Sequence, residues 1–469
     1  MTVMSQRFDV VVIGGGPGGY SAALYAASAG LTVGLVERDR LGGTCLNRGC
    51  IPAKAFLETA AVHRHVAHAA EFGIEASQPV VRFDVTQARK QNIVDGLVAG
   101  IAAMCKARKV TVFEGSGVLR PGRRVDVVGH DGVTSEITGD SVILAAGSVP
   151  RTIPGFDPGG PIMTSDEVLD LAVIPQRIAV IGGGAIGCEF ASTFADLGAQ
   201  VTILEGLPKI LPGLDADVAN VVVKSFKRKS IEIKTGVQVV GHEPNGQGGT
   251  TVRLGDGTEL EVDAVIVSIG RRPASVSLGL EATIVNVDER GFVVVDEYCR
   301  TTEDGVYAIG DLVDTPQLAH VAYAEAVMVV KHILEESPLP VDYSRVPWAI
   351  YCDPEVAWAG PGEDAAKAAG IDVVVGKHPF KYNSRAQIVG STDGMVKVIA
   401  KRNPDGSAGQ ILGVHMVGPW VTEQLSGGYL AVNWEATVQE VAEFIQPHPS
   451  LSELFGETML SMTGRSFNG

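Results

Sequence analysis

The sequence predicts an α/β protein with two Rossmann-like dinucleotide-binding domains, the second inserted in the first, followed by a C-terminal α+β domain. Three observations predict it. A G-x-G-x-x-G turn occurs twice, at Gly14 to Gly19 and at Gly182 to Gly187, each time between an apolar β-branched run and a helix-like stretch. After the second unit, Val306-Tyr307-Ala308-Ile309-Gly310-Asp311 reads as one more buried strand, delivering a carboxylate beside a glycine at the edge where α/β sheets meet their ligands. From about Pro347 the pattern changes to alternating runs, Met395 to Ala400 and Ile411 to Val417, with helices between them.

In the first unit, Phe8 to Ile13 is the strand and Tyr20 to Gly30 the helix. Gly14 allows the tight turn, Gly16 lets the backbone approach a pyrophosphate, and Gly19 lets helix and strand pack closely, with the helix N-terminus facing the phosphates. A second strand, Leu31 to Val36, ends in Glu37, whose carboxylate can accept hydrogen bonds from an adenosine ribose.

Directly afterwards comes Gly42-Gly43-Thr44-Cys45-Leu46-Asn47-Arg48-Gly49-Cys50-Ile51-Pro52-Ala53-Lys54, with two thiols five residues apart. On an ideal helix such residues have Cα atoms about 8 to 9 Å apart, whereas a disulfide needs about 4.4 to 6.8 Å. A disulfide here requires a distorted turn, which Gly49 permits, and Pro52 is tolerated where a helix is only beginning. The alternative is a pair of buried structural thiols.

Ser141 to Gly147 is a buried-strand run ending in small residues, and the turn-rich Ser148 to Gly160 reads as a boundary. Beyond it the unit repeats: Ile178 to Ile181, the turn glycines Gly182, Gly184 and Gly187, a helix, and a strand ending at Glu205. Glycine and acid stand 23 residues apart in both units. An acid at Glu205, rather than an arginine, favours a free ribose 2′-hydroxyl and so NAD over NADP, the alternative being a solvated strand end. The unit closes with Ala264 to Gly270 and Arg271-Arg272-Pro273. The expected boundaries are 1–150 and 275–346 for the interrupted first domain, 151–274 for the inserted one, and 347–469 for the last.

The last domain contains Gln446-Pro447-His448-Pro449-Ser450-Leu451-Ser452-Glu453. The prolines hold His448 in extended backbone, and Glu453 is expected one turn into the following helix. A histidine oriented by a carboxylate is a suitable acid/base for a thiol near neutral pH. Equally, Ser450 and Glu453 have capping-box spacing, and a histidine near a terminus is commonly surface. A dithiol elsewhere in the chain favours the functional reading.

Composition narrows the function classes. With 469 residues and 45% apolar content, about three domains with ample cores are expected. The formal charge of −16 disfavours nucleic acid as a partner. No apolar run is long enough for a membrane span, and Met1 to Arg7 carries no charged-then-apolar leader, so neither span nor signal peptide is expected and a cytoplasmic location is. Lys224 to Lys229 reads as a solvated helix face. Of six cysteines only Cys45 and Cys50 are close in sequence; Cys105, Cys188, Cys299 and Cys352 read as buried and incidental.

Together these residues resemble the FAD-dependent pyridine nucleotide–disulfide oxidoreductases over nearly the whole chain. The resemblance rests on GGTCLNRGCIPAK, both glycine turns, TEDGVYAIGDL at Thr302 to Leu312, LAH at Leu318 to His320, DPEVAWAG from Asp353, and HPSLSE from His448. It implies that the first unit binds FAD and the second NAD, and that the C-terminal domain forms a homodimer interface from which His448, backed by Glu453, serves the partner subunit's dithiol. Cys45 looks like the interchange thiol and Cys50 like the thiol against the flavin. Lys54 looks like the cation at the flavin's reactive edge, paired with Glu189. Gly43, Thr44, Gly117, Gly147, Asp311 and Ala319 would complete the flavin site, and Val239 and Gly270 the NAD site.

The implied reaction oxidises dihydrolipoamide, carried on a lipoyl protein or domain such as that of a 2-oxo acid dehydrogenase complex, and reduces NAD+. The chain departs from the family at Gln446, Val321, Ala326 and Ala145-Ala146-Gly147, none of which removes a redox or proton-transfer group. Three other readings stand beside it, of which mercuric ion reduction would require an additional C-terminal cysteine pair, and no cysteine follows Cys352. A reductase of a low-molecular-weight disulfide would prefer NADP, against Glu205; a non-catalytic flavoprotein subunit would not need Cys45, Cys50, His448 and Glu453 together.

Overall fold

The computed structural model describes residues 6–467. The expected lack of a leader therefore concerns mainly residues 1–5, which lie outside the described residues. The first sheet is built on β1 (Gln6–Ile13), whose Val10, Val11 and Val12 are fully buried, as a strand covered on both faces must be. Beside it lie β2 (Val33–Glu37), β3 (Thr111–Glu114), β4 (Ser116–Arg120), β5 (Arg124–Val128) and β6 (Thr134–Leu144), in the order β3-β2-β1-β6-β5-β4. The first half of β6 pairs antiparallel with β5, while Ile137 to Leu144 lie parallel to β1. Helix α1 (Pro17–Ser28) opens with proline at its first turn, where the missing N–H costs nothing. The helices α2 (Gly43–Arg48), α3 (Cys50–Ala67) and α4 (Phe83–Ala107) follow β2.

The chain leaves this sheet through β7 (Ser148–Pro150). A second sheet then forms from β8 (Ile162–Met163), β9 (Arg177–Ile181), β10 (Gln200–Glu205), β11 (Glu232–Thr235) and, after an antiparallel β12 (Val239–Pro244), β13 (Thr250–Leu254) and β14 (Glu259–Val262), β15 (Ala264–Val267). Its order is β11-β10-β9-β15-β8, all parallel, with α5 (Ala185–Asp196) and α6 (Ala216–Arg228) as crossovers. The return strand β16 (Arg271–Pro273) pairs antiparallel with β7, and β17 (Val306–Ala308) then adds to β6 in parallel, completing the first sheet before α7 (Ala319–Ile333). The second Rossmann-like domain is thus an insertion, as expected.

The C-terminal part is α+β. Its strands β18 (Pro347–Ile350), β19 (Glu355–Ala359), β20 (Val373–Pro379), β21 (Met395–Arg402) and β22 (Ala408–Gly418) form an antiparallel sheet in the order β18-β19-β22-β21-β20. One hydrophobic core runs through all three parts: Phe56 and Phe83 of the α3–α4 hairpin, Phe194 and Val180 of the inserted domain, and Ile350, Cys352 and Val356 of the last. That shared core positions the site.

Cys105, Cys188, Cys299 and Cys352 are all buried. Lys224 to Lys229 is corrected at its end. Lys229 is 17% exposed, bonded to Asp196 and Asp353 at 2.9 and 2.6 Å, because two distant carboxylates converge on it. Among the described residues, no helix is long and apolar enough to cross a membrane.

Candidate active site

Helix α2 ends at Arg48 and α3 begins at Cys50, with Gly49 between them out of helical geometry (φ −145°, ψ −114°). This is the distortion the spacing demanded. A side chain on Gly49 would come within 2.9 Å of the Thr44 carbonyl oxygen and 3.3 Å of Cys45 Cα, so glycine is required for the close approach itself. Both thiols are free in this structure. Their mutual influence separates them. Cys50 is pulled down to about 7 by its neighbour Cys45, helped by the Lys54 cation, while Cys45 is pushed up.

One turn past Cys50, Lys54 Nζ donates to both carboxylate oxygens of Glu189 on α5, at 2.9 and 2.8 Å. Burial works against the Lys54 cation, but the Glu189 carboxylate outweighs it and raises the ammonium above its ordinary value. Glu189 is 7% exposed, which excludes the ordinary surface role open to a helical glutamate.

These groups face a cavity of about 780 Å³, of the size small-molecule cofactors occupy. It is lined by Gly14, Gly16, Glu37, Gly43 and Thr44, by Gly117, Gly147, Asp311 and Ala319, and by Cys45, Cys50, Lys54 and Glu189. Gly43 presses on Gly16: a Cβ on Gly43 would lie 2.6 Å from Gly16 Cα. Gly19 does not line this cavity. Its Cβ would stand 1.7 Å from the Gly14 carbonyl oxygen, the helix–strand packing expected of it. Gly187 repeats this against Gly182 at 2.0 Å.

A second cavity, about 590 Å³, is lined by Gly182, Gly184, Glu205, Val239 and Gly270. Gly184 and Gly270 also line the first, so the two cavities meet there. The two acids make matching bonds. Glu37 accepts from the N–H groups of Gly15 (2.6 Å) and Asp39 (2.8 Å), and Glu205 from those of Gly183 (2.6 Å) and Leu207 (2.7 Å). Each carboxylate is therefore fixed by its own turn with lone pairs left for a ribose. At 8% exposure Glu205 is no solvated strand end.

His448 stands apart. It lines neither cavity and its side chain is 71% exposed, while Nδ1 donates to Glu453 Oε1 at 2.8 Å. Glu453 Oε2 accepts the Ser450 N–H at 2.7 Å, but the N-cap of the helix is Ser452, without a side-chain cap bond, so the capping box that the Ser450–Glu453 spacing offered does not form. Glu453 is the first residue of that helix (Glu453–Met462), one turn earlier than expected. The chain does not bring His448 to its own dithiol cavity.

Several cavity residues carried no signal in the sequence. Ser148 donates to Asp311 Oδ2 at 2.5 Å and is held by Arg271 through Nε (2.7 Å) and through its carbonyl (2.8 Å). Gln317 Nε2 is a buried donor without a partner among the described residues, on the cavity wall beside Ala319. Trp348 and Trp358, stacked at 5.4 Å, complete the wall. An orphaned amide, a glycine cradle and an acid at the ribose position are what a flavin dinucleotide requires.

Comparison with known proteins adds to this geometry. Residues 8–326 match the family model described as pyridine nucleotide-disulphide oxidoreductase, and residues 346–459 match its dimerisation domain. The chain is 40% identical to a dihydrolipoyl dehydrogenase of Bacillus subtilis, over 99% of this chain and 100% of that one. It is also 40% identical to the dihydrolipoyl dehydrogenase of Trypanosoma brucei brucei, over 98% of each. Among solved structures, LpdA from Mycobacterium tuberculosis superposes with a TM-score of 0.91 at 29% identity, covering 97% of this chain and 99% of that chain. The HOCl-induced flavoprotein disulfide reductase RclA from Escherichia coli superposes with a TM-score of 0.86 at 27% identity, covering 96% and 99%.

Proposed function

This chain belongs to the pyridine nucleotide-disulphide oxidoreductase family, and from that premise we propose that it is an NAD-dependent dihydrolipoyl dehydrogenase working as a homodimer. The observation that carries the reading is the interrupted helix that sets Cys45 and Cys50 against each other on the wall of the larger cavity, one turn from the Lys54–Glu189 pair. FAD fits that cavity, with Glu37 toward the ribose, the Gly14–Gly19 turn toward the pyrophosphate and Asp311 toward the flavin side chain. NAD fits the second, with Glu205 toward its ribose. Boundaries at 1–150, 151–274, 275–346 and 347–469 follow the paired exit and return strands and the start of the last sheet.

In the reaction, the partner subunit's His448 takes the proton of one dihydrolipoyl thiol, and Glu453 stabilises the imidazolium. The thiolate attacks Cys45; the Cys45–Cys50 bond breaks and Cys50 leaves as a thiolate beside Lys54. The second substrate thiol displaces Cys45, releasing the cyclic disulfide and leaving the electron pair on the dithiol. When bound, FAD supplies the acceptor that passes this pair to NAD+ as a hydride. The Lys54 cation holds the Cys50 thiolate in place for that transfer. The dithiol substrate arrives on a lipoyl carrier, as in a 2-oxo acid dehydrogenase complex. Six cysteines with no secretory framework support a cytoplasmic location.

A steady-state assay with dihydrolipoamide and NAD+, run beside NADP+ and small disulfides, tests the assignment. Turnover confined to NADPH and small disulfides would replace it with a low-molecular-weight disulfide reductase.

A further inference from the structure

The Lys54–Glu189 pair has a third member, and it comes from the C-terminal domain. Tyr351 lies in the connection between β18 and β19, and its backbone N–H donates to Glu189 Oε1 at 2.9 Å. Its ring lies under the ammonium group, with Lys54 Nζ 4.8 Å from the ring centroid. The carboxylate of Glu189 and the face of Tyr351 thus hold the same cation from two sides. The sequence gives no hint of this, since Tyr351 stands nearly three hundred residues from Lys54. A cation over an aromatic face is stabilised by the ring quadrupole, most strongly where water is excluded.

We propose that the Tyr351 ring is a positioning residue for the Lys54–Glu189 pair, through which the dimerisation domain sets how firmly Lys54 holds the Cys50 thiolate. The proposal rests on the reading of Cys50 as the thiol facing the flavin. Tyr323 on α7 faces Cys50, Glu355 and Glu423 face the Tyr351 phenol, and the groups that bear on the Lys54 cation itself are Glu189 on α5, Cys50 on its own helix, Cys45 across the dithiol and Tyr351. Of these only the ring can be changed without removing a charge or a thiol. Weakening it lets the cation drift from the thiolate, so Cys50 should need a higher pH to ionise.

The test is spectroscopic. In the two-electron-reduced holoenzyme, a Cys50 thiolate against oxidised flavin should give a long-wavelength charge-transfer band, titrated with pH in wild type, Tyr351→Phe, Tyr351→Leu and Tyr351→Phe carrying increasingly fluorinated rings. Tyr351→Phe keeps the aromatic face and should titrate as wild type. Fluorination drains the face without changing its shape, so the midpoint should rise stepwise, and Tyr351→Leu should rise furthest, by about 0.5 to 1 pH unit. Should Tyr351→Leu bind flavin poorly, the fluorinated series decides alone. Coincident titrations throughout, or a Tyr351→Phe shift as large as that of Tyr351→Leu, would overturn the proposal. Absence of the band in wild type would overturn the flavin–dithiol reading itself, and this inference with it.

Discussion

Glu453 grips the His448 ring through Nδ1 at 2.8 Å, which leaves Nε2 as the nitrogen free to take a proton, on a side chain 71% exposed at the surface. If His448 is the base of the proposed reaction, its place outside its own dithiol cavity requires it to act on another chain. His448→Ala should lose about 100- to 10,000-fold in dihydrolipoamide turnover, while NADH oxidation by an artificial acceptor, which needs no thiol deprotonation, largely survives. Mixing His448→Ala subunits with Cys45→Ser subunits should restore activity, because one site of each heterodimer then has both an intact dithiol and an intact histidine. No recovery after verified subunit exchange would mean that each site is built within one chain.

The two thiols should be separable by colour. Cys45→Ser leaves Cys50 as the thiolate donor and should show a long-wavelength charge-transfer band with oxidised flavin; Cys50→Ser should show none. In the two-electron-reduced wild type, Cys50 is drawn down by its neighbour Cys45 and by Lys54, so the band should persist above about pH 7 and fade as pH falls through that value. Identical absorption spectra from the two variants would refute the division of roles.

Glu205 should decide the soluble carrier. Replacing it by arginine removes an acceptor for the ribose hydroxyls and supplies a cation suited to a 2′-phosphate, so the ratio of kcat/KM for NAD+ to that for NADP+ should fall by about 10-fold or more. The variant should also lose some stability, since the N–H groups of Gly183 and Leu207 lose their acceptor. A wild-type preference for NADP+ would sink the assignment.

Lys397 should matter to stability rather than catalysis. It is 2% exposed on β21, bonded to Asp215, Asp217 and Glu363 at 2.8, 2.7 and 2.9 Å, and it ties the last sheet to the start of α6. Lys397→Met leaves the three carboxylates without their shared cation, a loss of about 3 to 5 kcal/mol that thermal melts at pH 7 would register. Lys367 and Lys397 hold the Glu363 carboxyl down to about 2, from an ordinary 4.5. A depressed carboxyl stabilises the fold fully above its unfolded value and loses that contribution as pH falls through the folded one. Wild-type melting temperature should therefore drop between pH 4.5 and 2, and the variant's curve should be shallower there.

Much of the site was legible because its chemistry is written in residue type at short spacing. Gly19 and Gly187 are glycines because nothing else leaves room for the preceding turn. Gly49 marks the broken helix for the same reason, and Glu37 and Glu205 close their strands at one fixed spacing. What was not legible depends on contacts over long stretches of chain between ordinary residue types. Ser148 reaches Asp311 across 163 residues, and Arg271 reaches Ser148 across 123. Gln317 and Tyr351 belong to the same class. Lys229 was misread because a lysine among lysines looks solvated until Asp196 and Asp353 are seen to converge on it.

The antiparallel ribbon of β7 and β16 has a wider consequence. The chain enters and leaves the inserted domain side by side, joined by three residue pairs: Ser148 with Pro273, Val149 with Arg272 and Pro150 with Arg271. Such an insert is a cassette. Its ends are close together in space, so the host chain closes on itself at the seam and a different module could be threaded there without rerouting the host. The host constrains what may be inserted: a module must match the core that Phe194 shares with Phe56 and Ile350, meet Lys397 with carboxylates, and present another where Glu189 meets Lys54, or the cation beside the dithiol loses its counter-charge.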